Sequence, residues 1–439
     1  MPHVALVPFT GFRIREREML ELGMSLPGLR ARAGAIAQLP ALGLLTLAGL
    51  NPPSWTCSYH ESGELSAEAV AEQMIELRPD LVAVSALTAS IEEAYRFSGL
   101  VRRAGLRVVI GGLHATSCTE EAGLHADSVV AGEGEPVWAR ILDDVQRGSL
   151  QPIYRAGRPF NLADAPIPRF DLLGAAPRPR FTVQTQRGCP LACEFCAASR
   201  LLGPMREKPT SNVAAELRAI TTIDRRPVVE LADDNTFAGR RAAGPLLETL
   251  AASRARYFTE VDWRIGERPD VLDGLAASGC VQVLVGLESL ETSHRGMGPK
   301  SAPPSRMMDA VEAIQAAGVA VAGCFIVGGD GETEASLERL GAFLERAPMA
   351  DVQLTLQTPF PGTTLYQKLS AQSRLLEDRG WSYHTLFDVT YRPAAMSVET
   401  LELRFRDLIQ RVFGAEPTRR RAEIRRRVWA KNPGLSPCT

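Results

Sequence analysis

The sequence predicts an α/β protein: a doubly wound (Rossmann-like) N-terminal domain, then a partial (βα)6 TIM barrel, then a small helical C-terminal extension. Three observations predict it. Short apolar runs of strand length alternate with amphipathic stretches of helix length over residues 1–146, and again over 181–375. A proline-rich run over 147–180 separates the two series. The apolar runs end in glycines, hydroxyls and carboxylates, at the strand ends where such sheets hold ligands.

In the first series, strands are expected over 4–9, 55–59, 80–86, 106–111 and 127–132, and helices over 66–78, 91–104 and 135–146. Within 66–78, Glu68, Glu72 and Glu76 share one face opposite Val70, Met74 and Leu77, the pattern of a surface helix. Glycines after the strands let backbone approach a ligand closely, or serve tight turns that need positive φ. Gly132-x-Gly134 is not a dinucleotide fingerprint, lacking the third glycine and the later acidic residue. The run 147–180, with Pro166, Pro168, Pro177 and Pro179, reads as an extended linker.

In the second series, strands are expected over 181–186, 228–234, 262–267, 281–289, 319–328 and 351–360, and helices over 211–222, 244–256, 306–317 and 334–346. Six βα units are too few to close an eight-stranded barrel and fit one open on one side. Past 375 the pattern is helical, entered through Trp381, Tyr383, Phe387 and Tyr391. A helix over 397–413 has Ser397 as its N-cap. The six arginines of 419–427 read as a solvated helix end, the alternative being contact with an anionic membrane surface.

Composition narrows the function classes. The 439 residues suffice for two or three domains at about 150 residues each. They are 45% hydrophobic and 23% charged, as ordinary globular proteins are. A net charge of −2 argues against a nucleic-acid partner. No basic stretch followed by a cleavable apolar segment opens the chain, and no apolar run approaches the roughly 18 residues of a spanning helix. With eight cysteines and no secretion signal, a reducing cytoplasm is expected.

The strongest chemical signal is Arg187-Gly188-Cys189-Pro190-Leu191-Ala192-Cys193-Glu194-Phe195-Cys196, with Cys189, Cys193 and Cys196 at C-x3-C-x2-C after a strand-like run. Three thiolates can cap three corners of an iron–sulfur cluster and leave one iron open. A disulfide would leave one cysteine over, and structural zinc would want a fourth Cys or His at matching spacing. Cys280 and Cys324 lie in apolar strand patterns as small core residues, and Cys57, Cys118 and Cys438 carry no ligand spacing.

This cysteine spacing, with Phe195 before the last cysteine, resembles the signature of the radical S-adenosylmethionine (SAM) superfamily. The resemblance implies that Cys189, Cys193 and Cys196 hold a 4Fe–4S cluster. SAM would chelate the fourth iron, and the reduced cluster would cleave it to a 5′-deoxyadenosyl radical. It further implies that Phe195 packs near the adenine, and that Asp233 of Asp233-Asp234-Asn235 orients SAM or substrate unless it caps the next helix. Gly286-Leu287-Glu288-Ser289 is similar to the family's ribose segment, implicating Glu288 and Ser289. Val327-Gly328-Gly329-Asp330-Gly331-Glu332 is similar to its glycine-rich adenine segment, implicating Gly328 and Gly329.

The N-terminal domain resembles the cobalamin-binding domain of the cobalamin-dependent class of that superfamily. The matching segments are Pro40-Ala41-Leu42-Gly43-Leu44-Leu45-Thr46-Leu47-Ala48, Ser85-x-x-Thr88, Gly111-Gly112-Leu113-His114-Ala115-Thr116 and Gly132-Glu133-Gly134-Glu135. The resemblance implies that Ser85, Thr88, Gly111, Gly112, Gly132 and Glu133 line a pocket for the nucleotide tail of cobalamin. D-x-H-x-x-G, whose histidine ligates cobalt in classical cobalamin methyltransferases, is absent, so no histidine is expected on the lower face. Gln357-Thr358-Pro359-Phe360-Pro361-Gly362-Thr363 and Tyr391-Arg392-Pro393-Ala394-Ala395-Met396-Ser397 are similar to further segments of the class.

The resemblance implies hydrogen abstraction from an unactivated carbon of a small-molecule or natural-product substrate, then methylation from methylcobalamin. The reductant would be an external flavodoxin- or ferredoxin-type donor. A radical cyclase or rearrangement enzyme, and a non-catalytic cobalamin or SAM sensor, are the alternatives. No sequence motif identifies a catalytic side chain.

Overall fold

Aliphatic and β-branched runs favour strands when both faces can be covered. The computed structural model describes residues 1–11, 14–29, 40–63, 65–174, 178–239, 242–291 and 300–432, so Cys438 lies outside the described residues, as does Pro177. β1 (His3–Phe9), β2 (Thr56–Tyr59), β3 (Leu81–Ala86), β4 (Val108–Gly111), β5 (Ser128–Ala131) and β6 (Ile153–Arg155) form one sheet, ordered β2-β1-β3-β4-β5-β6. Every pairing is parallel. Alternate residues of one strand enter different cores: Val7, Val82 and Val84 pack with Phe97 on one face, and Leu6, Leu81 and Ala83 with Trp138 on the other. The domain is doubly wound, as expected.

Helix Ala67–Leu77 buries Val70 and Met74 and is capped by Ser66, whose hydroxyl accepts from Ala69 N at 3.3 Å; Leu77, expected on the packed face, is exposed. β6 corrects the sequence reading. It lies in the run taken as linker, yet Ile153 and Tyr154 pair with Val129 and Val130. A three-residue edge strand that buries only Tyr154 is too short to show alternation.

The second sheet begins with β7 (Phe181–Val183). A two-stranded antiparallel ribbon interrupts it, formed by β8 (Gln186–Arg187) and β9 (Arg206–Glu207). β10 (Val228–Leu231), β11 (Arg256–Asp262), β12 (Cys280–Glu288), β13 (Ala320–Val327) and β14 (Asp351–Leu356) complete it. The order β14-β13-β12-β11-β10-β7, parallel throughout, is a six-stranded barrel open between β7 and β14.

Three expectations fail here. The third strand is Arg256–Asp262, whereas 263–267, read as strand, forms a 3-10 turn. Asp262 ends the strand by accepting from Arg264 N at 3.0 Å, and the alternately buried Trp263 and Ile265 mimic strand periodicity. Helix Gly244–Ser253 therefore stops short of 256, with Arg254 in the left-handed region. Cys280 is buried as expected, but Cys324 is only half-buried.

The C-terminal arginines are not a bare solvated end. Helix Ala415–Trp429 docks on the barrel: Arg421 is buried and donates to Val412 O, and Arg420 donates to Glu345 O (2.9 Å) and Arg346 O (2.6 Å). Trp429 Nε1 reaches Val281 O at 2.8 Å, and Asn432 reaches Cys280 O and Gly318 O, closing the end of the barrel where β12 and β13 start. Among the described residues no helix is long and apolar enough to cross a membrane.

Candidate active site

The strand ends of the first sheet open onto a cleft of about 270 Å³. Gly111, Gly112, Gly132 and Gly134 supply its backbone edges, and Leu44, Leu47 and Trp138 its apolar walls. Gly112 has φ +110, and a Cβ there would stand 3.4 Å from Ser85 Oγ. One at Gly134 would stand 3.3 Å from Leu47. Thr116 ties the turns together, accepting from Gly132 N (2.9 Å) and donating to Gly112 O (2.8 Å). An apolar slot with bare backbone along its rim suits the flat, uncharged ring system of a nucleotide tail.

Of the expected cobalamin residues, Ser85, Gly111, Gly112, Gly132 and Glu133 line this cleft. Thr88 does not; it starts a separate 3-10 turn, Thr88–Ser90. Glu133 lines the cleft but its oxygens are spent. Oε1 accepts from Arg187 Nη1 at 2.6 Å, and Oε2 accepts from Arg206 Nη1 at 3.0 Å and Phe160 N at 2.6 Å. Against the upward push of burial, Arg206, Phe160 N–H and Arg187 hold its carboxyl below the usual range.

Among the described residues, no histidine lines the cleft. His114 is buried elsewhere, with Nε2 3.4 Å from Glu121 Oε1 and its ring edge-on to Trp381 at 5.0 Å. Both Glu121 oxygens accept from Trp381 Nε1, at 3.1 and 3.0 Å, which seats the C-terminal extension on this domain.

The cleft's far wall is the cysteine loop's own neighbourhood: Arg187, Leu201 and Leu202 line it too. The loop starts at Gly188, with φ +82, where a Cβ would lie 2.9 Å from Gly203 O. Cys193 is buried, and Cys189 and Cys196 are half-buried. Burial, opposed by Lys300, pushes the Cys193 thiol up to about 11, and burial raises Cys189 as well. Among the described residues only His114, Cys118 and Glu121 bring three ligand atoms within 4.8 Å of one another. Sulfurs on a single tetrahedral ion, with bonds of about 2.3 Å, would stand only roughly 3.8 Å apart. The wider triplet of Cys189, Cys193 and Cys196 suits ligands of separate irons in a cluster.

The loop also helps to close the open barrel. Glu194 O accepts from Leu365 N at 2.9 Å and Glu194 pairs with Lys368 at 3.0 Å, while Phe195 packs near Leu365, Leu369 and Tyr391. Gly362, after β14, has φ +83 and sits so close to Ser117 and Leu201 that a Cβ would meet them at 2.7 and 2.9 Å.

At the barrel mouth, Glu288 has φ +62, is nearly buried and accepts from Lys300 Nζ at 2.8 Å. Ser289 is buried beside it, its hydroxyl accepting from Glu291 N at 3.1 Å. Gly328 donates its N–H to Glu332 Oε2 at 2.6 Å, its carbonyl accepts from Tyr391 Oη, and Gly329 O accepts from Glu332 N at 3.0 Å. Burial raises the Glu332 carboxyl to about 7.

Asp233 is a brace for the loop. Oδ1 accepts from Thr185 N (2.7 Å) and Gln186 N (3.0 Å), and Oδ2 from Thr185 Oγ1 (2.5 Å) and Thr236 Oγ1 (3.0 Å). That pins the strand entering the cysteine loop to the end of β10. Its neighbour Asp234 faces Gly188, with its carboxyl raised to about 6 by burial and by Asp233. Glu260, on β11, is exposed to solvent, with the like charges of Asp234 and Glu230 as its neighbours.

Sequence reasoning passed over Lys300, Arg206 and Glu260. Each meets its charged neighbours across a long stretch of sequence, with no spacing to give it away. Arg187 carried a weak signal, standing directly before Gly188-Cys189.

Residues 183–344 match the Radical SAM superfamily, and residues 36–142 match the B12 binding domain. The chain is 27% identical over 360 residues to the bacteriochlorophyllide d C-12(1)-methyltransferase of Chlorobaculum tepidum, covering 80% of this chain and 78% of that protein. The fold is similar to the cobalamin-dependent SAM radical enzyme OxsB with aqua-cobalamin bound, with a TM-score of 0.69 at 14% identity over 92% of this chain and 66% of that one. It is also similar to the radical SAM methyltransferase TsrM from Kitasatospora setae with cobalamin and a [4Fe-4S] cluster bound, with a TM-score of 0.62 at 14% identity over 85% and 78%.

Proposed function

This chain belongs to the radical SAM superfamily and carries a B12 binding domain, and on that premise we propose that it methylates an unactivated carbon of a small-molecule substrate. The carrying observation is that the glycine-rimmed cleft and the cysteine loop share one wall, formed by Arg187, Leu201 and Leu202. A 4Fe–4S cluster, SAM and cobalamin, when bound, supply a 5′-deoxyadenosyl radical and a transferable methyl group.

The chain's residues do the holding. Cys189, Cys193 and Cys196 ligate the cluster, and three ligands leave one iron for SAM. Lys300 and Arg264 face the cysteine sulfurs and offset their charge once deprotonated. Glu288, paired with Lys300, would be the acceptor for the ribose hydroxyls, with the Ser289 hydroxyl beside it and Gly328 and Gly329 shaping the neighbouring turn. Leu44, Leu47 and Trp138 keep water from the cobalamin tail. An external flavodoxin- or ferredoxin-type protein in a reducing cytoplasm supplies the electron.

The test is anaerobic reconstitution with iron, sulfide and cobalamin, then SAM and reductant. Methyl transfer gives 5′-deoxyadenosine and S-adenosylhomocysteine together; cyclisation or rearrangement gives the first alone, and a sensor neither. Replacing Cys189, Cys193 and Cys196 by Ala should abolish iron binding and both products. Unchanged iron content and SAM cleavage in that variant would overturn the reading.

A further inference from the structure

Between the two cofactor stations stands a group of four charged side chains, three of which, Glu133, Glu135 and Arg187, also line the cleft. Arg187 Nη1 donates to Glu133 Oε1 at 2.6 Å and Nη2 to Glu135 Oε1 at 2.7 Å, while Gln184 Oε1 accepts from its Nε (3.1 Å) and Nη2 (3.0 Å). Arg206 Nη1 donates to Glu133 Oε2 at 3.0 Å and to Phe160 O at 2.8 Å. Its Nη2 donates to Leu202 O at 2.7 Å and its Nε to Pro204 O at 3.1 Å. The four charged side chains are 8–17% exposed, and the two cations balance the two anions.

Where these groups are anchored matters more than their number. Glu133 and Glu135 flank Gly134 on the turn that rims the cleft. Arg187 and Arg206 are paired across the β8–β9 ribbon, and Arg187 is two residues ahead of Cys189. A guanidinium is a rigid fork, so donating to two carboxylates through two nitrogens fixes its orientation as well as its distance. The turn that rims one station is thereby bolted to the strand that launches the other.

We propose that Arg187 is a positioning residue that fixes the separation and angle between the cobalamin cleft and the cluster loop, with Arg206 as its brace. This rests on the function proposed above, in which those two places hold cobalamin and the cluster. Transfer between groups carried by separate domains is sensitive to placement, a displacement of about 1 Å costing roughly 100-fold in rate. A second ion pair, between the N-terminal domain and the segment leading into β7, serves as a reference: Arg178 donates to Glu61 at 3.0 and 3.1 Å, and neither residue lines the cleft.

The experiment uses full-length protein reconstituted with iron, sulfide and cobalamin, in wild type and in R187M, R187K, E135Q and E61Q. Pulsed EPR measures the dipolar coupling between cob(II)alamin and the reduced cluster. A parallel assay measures S-adenosylhomocysteine formed per 5′-deoxyadenosine. The expected result is one narrow distance in wild type and E61Q, and a shifted or broadened one in R187M. The product ratio should fall about tenfold or more in R187M, R187K and E135Q lying between it and wild type. A merely structural bridge would lower both products together and leave the distance alone in protein that retains its cofactors. R187M protein with full iron and cobalamin, an unaltered distance and an unaltered ratio would overturn the proposal. Should R187M fail to fold, R187K and E135Q make the same comparison. If wild type releases no S-adenosylhomocysteine the methyl-transfer reading fails, while the distance measurement still decides the role of Arg187.

Discussion

The two halves of the molecule prepare for their ligands by opposite means. The N-terminal cleft is made of glycine turns and aliphatic walls, and its one lining carboxylate pair, Glu133 and Glu135, is already spent on arginines. The barrel mouth concentrates ionisable groups: Asp234 at about 6, Glu332 at about 7, and Glu288 held by Lys300. A large uncharged ring system is best held by shape and dry surface, whereas a charged ligand with hydroxyls needs placed donors and acceptors. Recognition by shape should therefore fail through added atoms, and recognition by charge through removed ones.

The largest effect expected in the barrel comes from Lys300→Met. It strands Glu288, 7% exposed at its side chain, without a partner. Removing one member of a buried pair costs about 3–5 kcal/mol, to be read from urea unfolding. Adding Glu288→Gln should recover part of the loss; no recovery would show that the pair is not the cause.

Glu332→Gln tests the same region by pH. The folded protein holds the Glu332 proton up to about 7, against an ordinary 4.5. Between those values it binds more protons than the unfolded chain, so stability falls as pH rises through that window and stays lowered above it. The amide still accepts from Gly328 N–H, and the variant should be up to about 3 kcal/mol more stable than wild type at pH 8, with the difference gone by pH 4. Cobalamin retention, governed by shape, should stay level over the same range; a parallel change would break the contrast.

Gly112→Val attacks the other side. Gly112 has φ +110 and ψ 178, a conformation nearly restricted to glycine. Strain of about 1–3 kcal/mol, at 1.4 kcal/mol per tenfold, predicts roughly 5- to 140-fold weaker cobalamin binding by equilibrium titration. The smallest effect is expected from Ser66→Ala, which removes a helix cap far from either station. It should cost about 1 kcal/mol of stability and leave cofactor content untouched.

Much of this was legible in the residues. The glycine turns after β4 and β5, Cys189–Cys193–Cys196 and the two βα series all follow from local pattern, because strand burial and turn chemistry are written within a few positions. The misplaced third barrel strand shows the limit. β11 turns Phe258, Glu260 and Asp262 to the face opposite its buried Tyr257, Thr259 and Val261, so a polar lumen disguised it. β6 was hidden by its length, and the docked tail by arginines whose partners are backbone carbonyls, which carry no signal in sequence.

The residue order by itself determined which groups are available: three closely spaced cysteines, small residues at strand ends, and enough apolar alternation for two parallel sheets. Only the tertiary structure decided which side chains are free to use. Glu133 and Asp233 look like ligand contacts in sequence and are occupied in the fold, whereas Lys300 and Arg187 find their partners only there. The reason is physical. Metal-ligand spacing and backbone torsion are local properties. The state of a charge depends on what lies within a few ångströms, which for Arg187 and Glu133 means residues 54 positions apart.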